Sequence, residues 1–177
     1  MHIIVDGYNL IRQSDVLRGY ERQSLEAGRT ALIRVLALYK RSRGHRITVV
    51  FDGWEGGSPQ EERDLAGGVA IIYSRLGEKA DEVIKRLVAA ASEEILVVSS
   101  DREIATFAAR RGKGAIASPE FAARLDRLAA SPPPGAADIE AEAGDEDDDR
   151  RGAEKKKGPS RRLSKQKRTQ LARIRKL

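Results

Sequence analysis

Apolar residues in the first 130 positions fall into two kinds of pattern, short unbroken runs and longer spaced repeats. The runs are HIIVD at 2–6, ITVVFD at 47–52, VAIIYS at 69–74, ILVVSSD at 95–101 and GAIAS at 114–118, each the length of a strand. Between them, Leu25, Leu32, Val35, Leu36 and Tyr39 recur at helical spacing over 24–42, with Ser24 as N-cap and Gly44 just past the end. From Lys79 a second amphipathic helix carries Ala80, Val83, Ile84, Leu87, Val88 and Ala91 on one face. A short helix follows over 104–110. Another opens cleanly at Ser118-Pro119-Glu120 and runs to about Ala130, where PPPG ends it.

Unbroken strands alternating with helices predict a parallel sheet covered on both faces, the α/β doubly wound class. The weakest stretch is 53–67, GWEGGSPQEERDLAG, whose four Gly and one Pro read as a long loop with room for one short helix. The expected organisation is a domain over 1–130, a disordered Pro-rich and acidic linker over 131–160, and a basic tail over 161–177. RRLSKQKRTQLARIRKL in that tail is a candidate helix, with Leu171, Ile174 and Leu177 along one side, marginal if isolated in water.

Charge sharpens this division. The net charge of +6 conceals eight carboxylates and no base at 138–149, then thirteen Lys or Arg against Glu154 at 150–177. The tail is therefore +12, the linker block −8, and residues 1–137 only +2. With no Cys, disulfides and thiolate metal sites are excluded. The start shows no basic n-region with a sustained apolar run, so no signal peptide is read. No window approaches the ~20 apolar residues of a membrane helix. The expectation is a cytoplasmic protein with no membrane partner.

Candidate chemistry lies at the strand ends. Asp6, Asp52 and Asp101 end the first, second and fourth runs, and Asp81, beside Glu78 and Glu82, falls in the first turn of the helix after the third. Parallel strands point the same way, and ligands bind in the crevice outside their carboxyl ends. Four acids from four junctions thus converge on one edge. Clustered carboxylates raise one another's pKa, a cost that a hard divalent cation removes; Mg2+ or Mn2+ suits oxygen donors and retained water. The two histidines, His2 and His45, map to the opposite edge, which argues against zinc.

Each residue also has a plain structural reading. A single Asp at a strand end or helix start commonly caps or forms a turn. Asn9 is either a left-handed turn residue or a side chain orienting Asp6 or a metal-bound water, and Gly7 allows a sharp turn in both cases. Tyr8 more commonly packs than stacks a base. Ser99 and Ser100 either bind phosphate or close the strand. Arg102 either clamps phosphate or pairs at the surface, and Trp54 either stacks a base or packs.

VDGYNLI, VVFDGWEGG, YSRLGEKADEVIKRL, VVSSDREI and GAIAS together resemble the YacP type of NYN domain, within the PIN-like nuclease superfamily. The likeness covers roughly 1–130. It implies a Rossmann-like sheet and an acidic pocket that binds Mg2+ or Mn2+ and cuts RNA, in a group that includes ribosome-associated mRNA endonucleases. The family's acidic positions fall on Asp6, Asp81 and Asp101, with Asn9 as polar companion; Asp52 matches the family's FD and is a further metal candidate. The implied reaction is metal-assisted phosphodiester hydrolysis with no protein nucleophile. The linker and tail lie outside the likeness.

For the tail, the expected partner is phosphate backbone of mRNA or ribosomal RNA, contacted by Arg161, Arg162, Lys165, Lys167 and Arg168. A solvated tail neutralised by the acidic block, or contact with anionic membrane, are the alternatives. Two rival functions stay open beside the nuclease: a non-catalytic RNA- or ribosome-binding module, and a phosphatase-like enzyme acting on a small substrate.

Overall fold

A computed structural model describes residues 1–53, 58–130 and 165–175. Its centre is a six-stranded sheet of β1 (His2–Asp6), β2 (Arg46–Phe51), β3 (Glu62–Ala66), β4 (Val69–Tyr73), β5 (Ile95–Val98) and β6 (Gly114–Ile116), in the order β3-β4-β2-β1-β5-β6. All neighbours pair in parallel except β3, which runs antiparallel to β4. The five anticipated strands are present. β5 stops at Val98, so Ser99, Ser100 and Asp101 lie beyond it.

Helices cover both faces. On one side α1 (Gly7–Gln13), α2 (Asp15–Glu21), α3 (Leu25–Arg43) and α6 (Ser118–Ala130) bury Leu10, Leu17, Leu32, Leu36 and Phe121 against Val5, Phe51 and Val98. On the other, α4 (Ala80–Ala90) and α5 (Arg102–Arg110) bury Val83, Ile84 and Ile104 against Ile4, Val50 and Val97. Every residue of β1 is buried, as a central strand with helices on both faces requires.

Two regions depart from the sequence expectation. The first is 53–67, where β3 replaces a loop. Glu62, Arg63, Asp64 and Leu65 are all exposed, so no apolar alternation announces the strand. Charged side chains suit an edge strand, where they discourage pairing with another chain. The hairpin signal was Gly67-Gly68 itself. Their φ values of 58° and 78° fit a two-residue turn with both central residues left-handed. The second is 7–21, where two seven-residue helices occupy a stretch to which the pattern assigned nothing.

The helix in the basic tail, α7 (Lys165–Arg175), is packed on β6 rather than isolated. Ile174 packs against the core, and Arg173 Nε lies 3.5 Å from Glu94 Oε1. Arg168, Leu171 and Arg175 face outward. The linker at 131–160, with Trp54, Arg161 and Arg162, falls outside the described residues.

Candidate active site

Asp6 is the last residue of β1 and the N-cap of α1. Its Oδ1 accepts the Asn9 backbone N–H at 3.1 Å, and its Oδ2 accepts the Ser99 hydroxyl at 3.1 Å. Gly7 serves here through size rather than through a left-handed turn. A Cβ at this position would lie 2.3 Å from Phe51 Cε1, so only glycine lets α1 start against that ring.

Asn9 is accordingly helical. Its side-chain oxygen accepts the Ser100 N–H at 2.9 Å and the Ser118 hydroxyl at 2.7 Å, tying α1 to the turn after β5 and to the start of α6. Ser100 Oγ in turn accepts the Ser118 N–H at 3.2 Å. Ser99 Oγ accepts the Asp101 N–H at 3.1 Å while donating to Asp6. Of the two readings for Ser99 and Ser100, their bonds match closure of the strand end. Ser118, anticipated only as a helix cap, is also part of this lattice.

Asp101 caps α5, its Oδ1 accepting the Glu103 N–H at 2.6 Å. Asp81 stands in the first turn of α4. Asp52, just past β2, accepts the Ala80 N–H at 2.5 Å and so caps α4 from across the sheet edge. α4 depends on that bond, because its own N-cap residue, Lys79, makes no side-chain cap. Gly53 is held by Ser74, whose hydroxyl accepts the Gly53 N–H at 2.8 Å.

The acids feel one another. Asp6 is only 7% exposed, and burial raises its pKa to about 6 against the bonds from Asn9 and Ser99; the charges of Asp81 and Asp52 push the same way. Asp81 is also raised, first by burial and then by Asp101 and Asp52, with Lys85 and Lys79 opposing. The four carboxylates therefore share one electrostatic environment at the carboxyl ends of β1, β2 and β5. Among the described residues, however, no three or more His, Asp or Glu close on one point tightly enough to grip a metal ion.

The donor set still fits a hard divalent cation held largely through water. It is all oxygen, and it includes a buried carboxylate whose charge is costly without a counter-ion. His2 lies at the other end of β1, bonded to Thr48 and Glu93. Arg102 is exposed at the start of α5 beside Asp101. Arg12, Arg29 and the Tyr8–Phe51–Tyr73 ring cluster also border the edge, and the periodicity singled out neither Arg nor Tyr73.

Fold and edge define the class: a Rossmann-like α/β domain with a carboxylate-lined crevice where the parallel strands end. The model of the YacP-like NYN domain matches residues 3–176, and the chain belongs to that family, one of the PIN-like nucleases. "Uncharacterized protein YacP" of Bacillus subtilis (strain 168) is 34% identical over 104 residues, 56% of this chain and 59% of that protein. The match thus spans less than two thirds of that relative. The crystal structure of Rae1 (YacP) from Bacillus subtilis is 28% identical with a TM-score of 0.61, covering 73% of this chain and 75% of that one. A tryptophan-to-leucine mutant of the same Bacillus subtilis protein gives 26% and 0.59, over 73% and 76% of the two chains.

Proposed function

We infer that this protein is a Mg2+- or Mn2+-dependent endoribonuclease that hydrolyses phosphodiester bonds of RNA in the cytoplasm, with ribosome-associated mRNA as the substrate. Family membership supports the reaction class, and one observation carries the site: Asp6, 7% exposed and raised to about 6, lies in the fields of Asp81 and Asp52.

Asp6, Asp81 and Asp101 would hold the cation directly or through water, with Asp52 adding charge from its capping position. When bound, such a cation activates water and stabilises charge on the phosphate and the leaving oxygen. Asn9 sets the position of Asp6 through its backbone N–H, and its side chain fixes the turn that carries Asp101. Ser99 links Asp6 to the Asp101 amide, so the two carboxylates keep one register. Hydrolysis places the water oxygen on phosphorus and the proton on the departing ribose oxygen. Arg102, Trp54, Arg161, Arg162, Lys165, Lys167 and Arg168 are assigned to the phosphate backbone and bases of the same strand.

One observation favours a second reading, an RNA- or ribosome-binding module without catalysis: among the described residues no three ligands close on one point. Separate Asp6→Asn and Asp101→Asn variants decide between them. On naked RNA and on translating ribosomes with Mn2+, the nuclease reading expects wild-type cutting and at least a hundredfold loss in each variant with RNA binding retained. Cutting by both variants at the wild-type rate sinks it, and RNA retention without cleavage by any protein under any divalent ion establishes the module.

A further inference from the structure

Arg29 is the cation that the site just described leaves unaccounted for. It sits on α3, and its guanidinium lies over the Tyr73 ring, 5.6 Å from the centroid. Its Nε is buried and has no hydrogen-bond partner among the described residues. Three neighbouring cations are committed to carboxylates: Arg12 to Glu21 at 3.5 Å, Arg75 to Glu78 at 3.3 Å, and Lys85 to Glu103. Arg29 forms no ion pair among the described residues. Lys79 and Arg102 also lack one there, but both are exposed and neither is seated on a ring.

A part-buried guanidinium without a counter-charge is costly, and an incoming anion removes that cost. Stacking on Tyr73 and the sealed Nε hold the planar fork in place, which leaves its two terminal nitrogens for bidentate, end-on recognition of phosphate and loses little further entropy on binding. Its location points to the acidic edge. Tyr73 ends β4, next to Phe51 at the end of β2, and Tyr8 packs edge-on against Phe51 with ring centroids 5.2 Å apart. Burial raises the Tyr8 pKa, and the next influences on it are Arg29, Tyr73, Asp52 and Arg12. One side chain thus lies within reach of both Arg29 and a carboxylate of the edge. An RNA strand laid across four acids needs a fixed positive charge close by to offset the repulsion.

Resting on the nuclease reading, we propose that Arg29, seated on Tyr73, is a positioning residue that clamps a backbone phosphate of single-stranded RNA on the β4 side of the acidic edge. Arg29 fixes the strand next to the cut and takes no part in the bond change.

The test is fluorescence anisotropy of the full chain with a labelled single-stranded RNA on the order of 12 nucleotides. EDTA is present so that binding is read without cleavage, and salt is varied. Arg29→Gln should bind about tenfold more weakly, and the slope of log affinity against log salt should shrink by about 0.7, one single-strand phosphate contact. Arg29→Lys, which keeps charge without the fork, should fall between the two. Arg110→Gln, exposed at the far end of α5, should change binding less than twofold.

Unchanged affinity and slope in a folded Arg29→Gln overturns the proposal, as does an equal loss in Arg110→Gln or wild-type binding by Arg29→Lys. If Arg29→Gln does not fold, Arg29→Lys and Tyr73→Leu carry the test, both expected to weaken binding several-fold. The two readings separate. Weakened binding in a protein that never cuts RNA keeps the clamp and removes the nuclease, whereas full binding by an Arg29→Gln protein that cuts normally does the reverse.

Discussion

Asp6 carries a charge that the folded chain holds at a cost. Its folded pKa of about 6 exceeds the ordinary 3.8, so between those pH values the folded state keeps a proton that the unfolded state releases. Stability of the metal-free protein should therefore fall as pH rises from about 4 to about 6 and stay lower above that, by up to about 3 kcal/mol from this group. Asp6→Asn retains an oxygen for the Asn9 N–H and removes the charge. Denaturant unfolding should show it more stable than wild type by about 1–3 kcal/mol at pH 8, with the gap closing near pH 4; a gap independent of pH would refute the burial argument. At Gly7 the constraint is space, since a Cβ would meet the fully buried Phe51 ring at 2.3 Å. Gly7→Ala should cost about 1–3 kcal/mol, while Gly19→Ala in α2, with nothing within 4 Å, should gain up to about 1 kcal/mol. Thermal melts of the two read this directly. The sequence exposed Asp6 as an interruption in an apolar run but presented Gly7 as a turn, because the ring it must avoid is 44 positions away.

Among the elements, α4 shows how a candidate ligand can also be structural. Its N-terminus is capped by Asp52, 28 residues earlier, because Lys79 supplies no cap of its own. Asp52→Ala should cost about 1 kcal/mol and fray the first turn of α4. Asp52→Asn, which keeps the accepting oxygen, should be nearly neutral. Hydrogen exchange at Ala80 and Asp81 distinguishes them, and equal protection in all three proteins would show that the cap is idle. α3 was legible with its cap residues at both ends, since a long apolar repeat and a Ser24–Gly44 frame are local signals. β3 was hidden because its side chains are exposed, and α1 and α2 because seven residues are too few to display a period.

At the scale of the molecule, Asp6, Asp52, Asp81 and Asp101 gather where the parallel strands end, and α7 is docked on β6, bringing Arg173 to within 3.5 Å of Glu94, which precedes β5. No helix among the described residues is long and apolar enough to cross a membrane. A cation bound at the acidic edge of the folded chain alone must stabilise it by mass action. Mn2+ at 100 times its dissociation constant should add about 2.7 kcal/mol and raise the melting temperature of the wild type, with little shift in Asp6→Asn. An equal shift in both proteins would place the ion elsewhere.

The sequence alone determined the class of the sheet, the order of its five parallel strands along the chain, and the gathering of Asp6, Asp52, Asp81 and Asp101 at one edge. Those are consequences of local hydrophobic pattern and of the shared direction of parallel strands. Only the tertiary structure decided what each side chain touches: Asn9 reaching Ser100 and Ser118, Ser99 bridging Asp6 to Asp101, Asp52 capping α4, and Arg29 lying on Tyr73. Apart from the local Ser99–Asp101 bond, these partners are separated by 28 to 109 positions, and no local pattern encodes such pairs. Burial, too, is a property of the assembled core, and burial is what lifts the pKa of Asp6 and shuts the Arg29 Nε off from solvent.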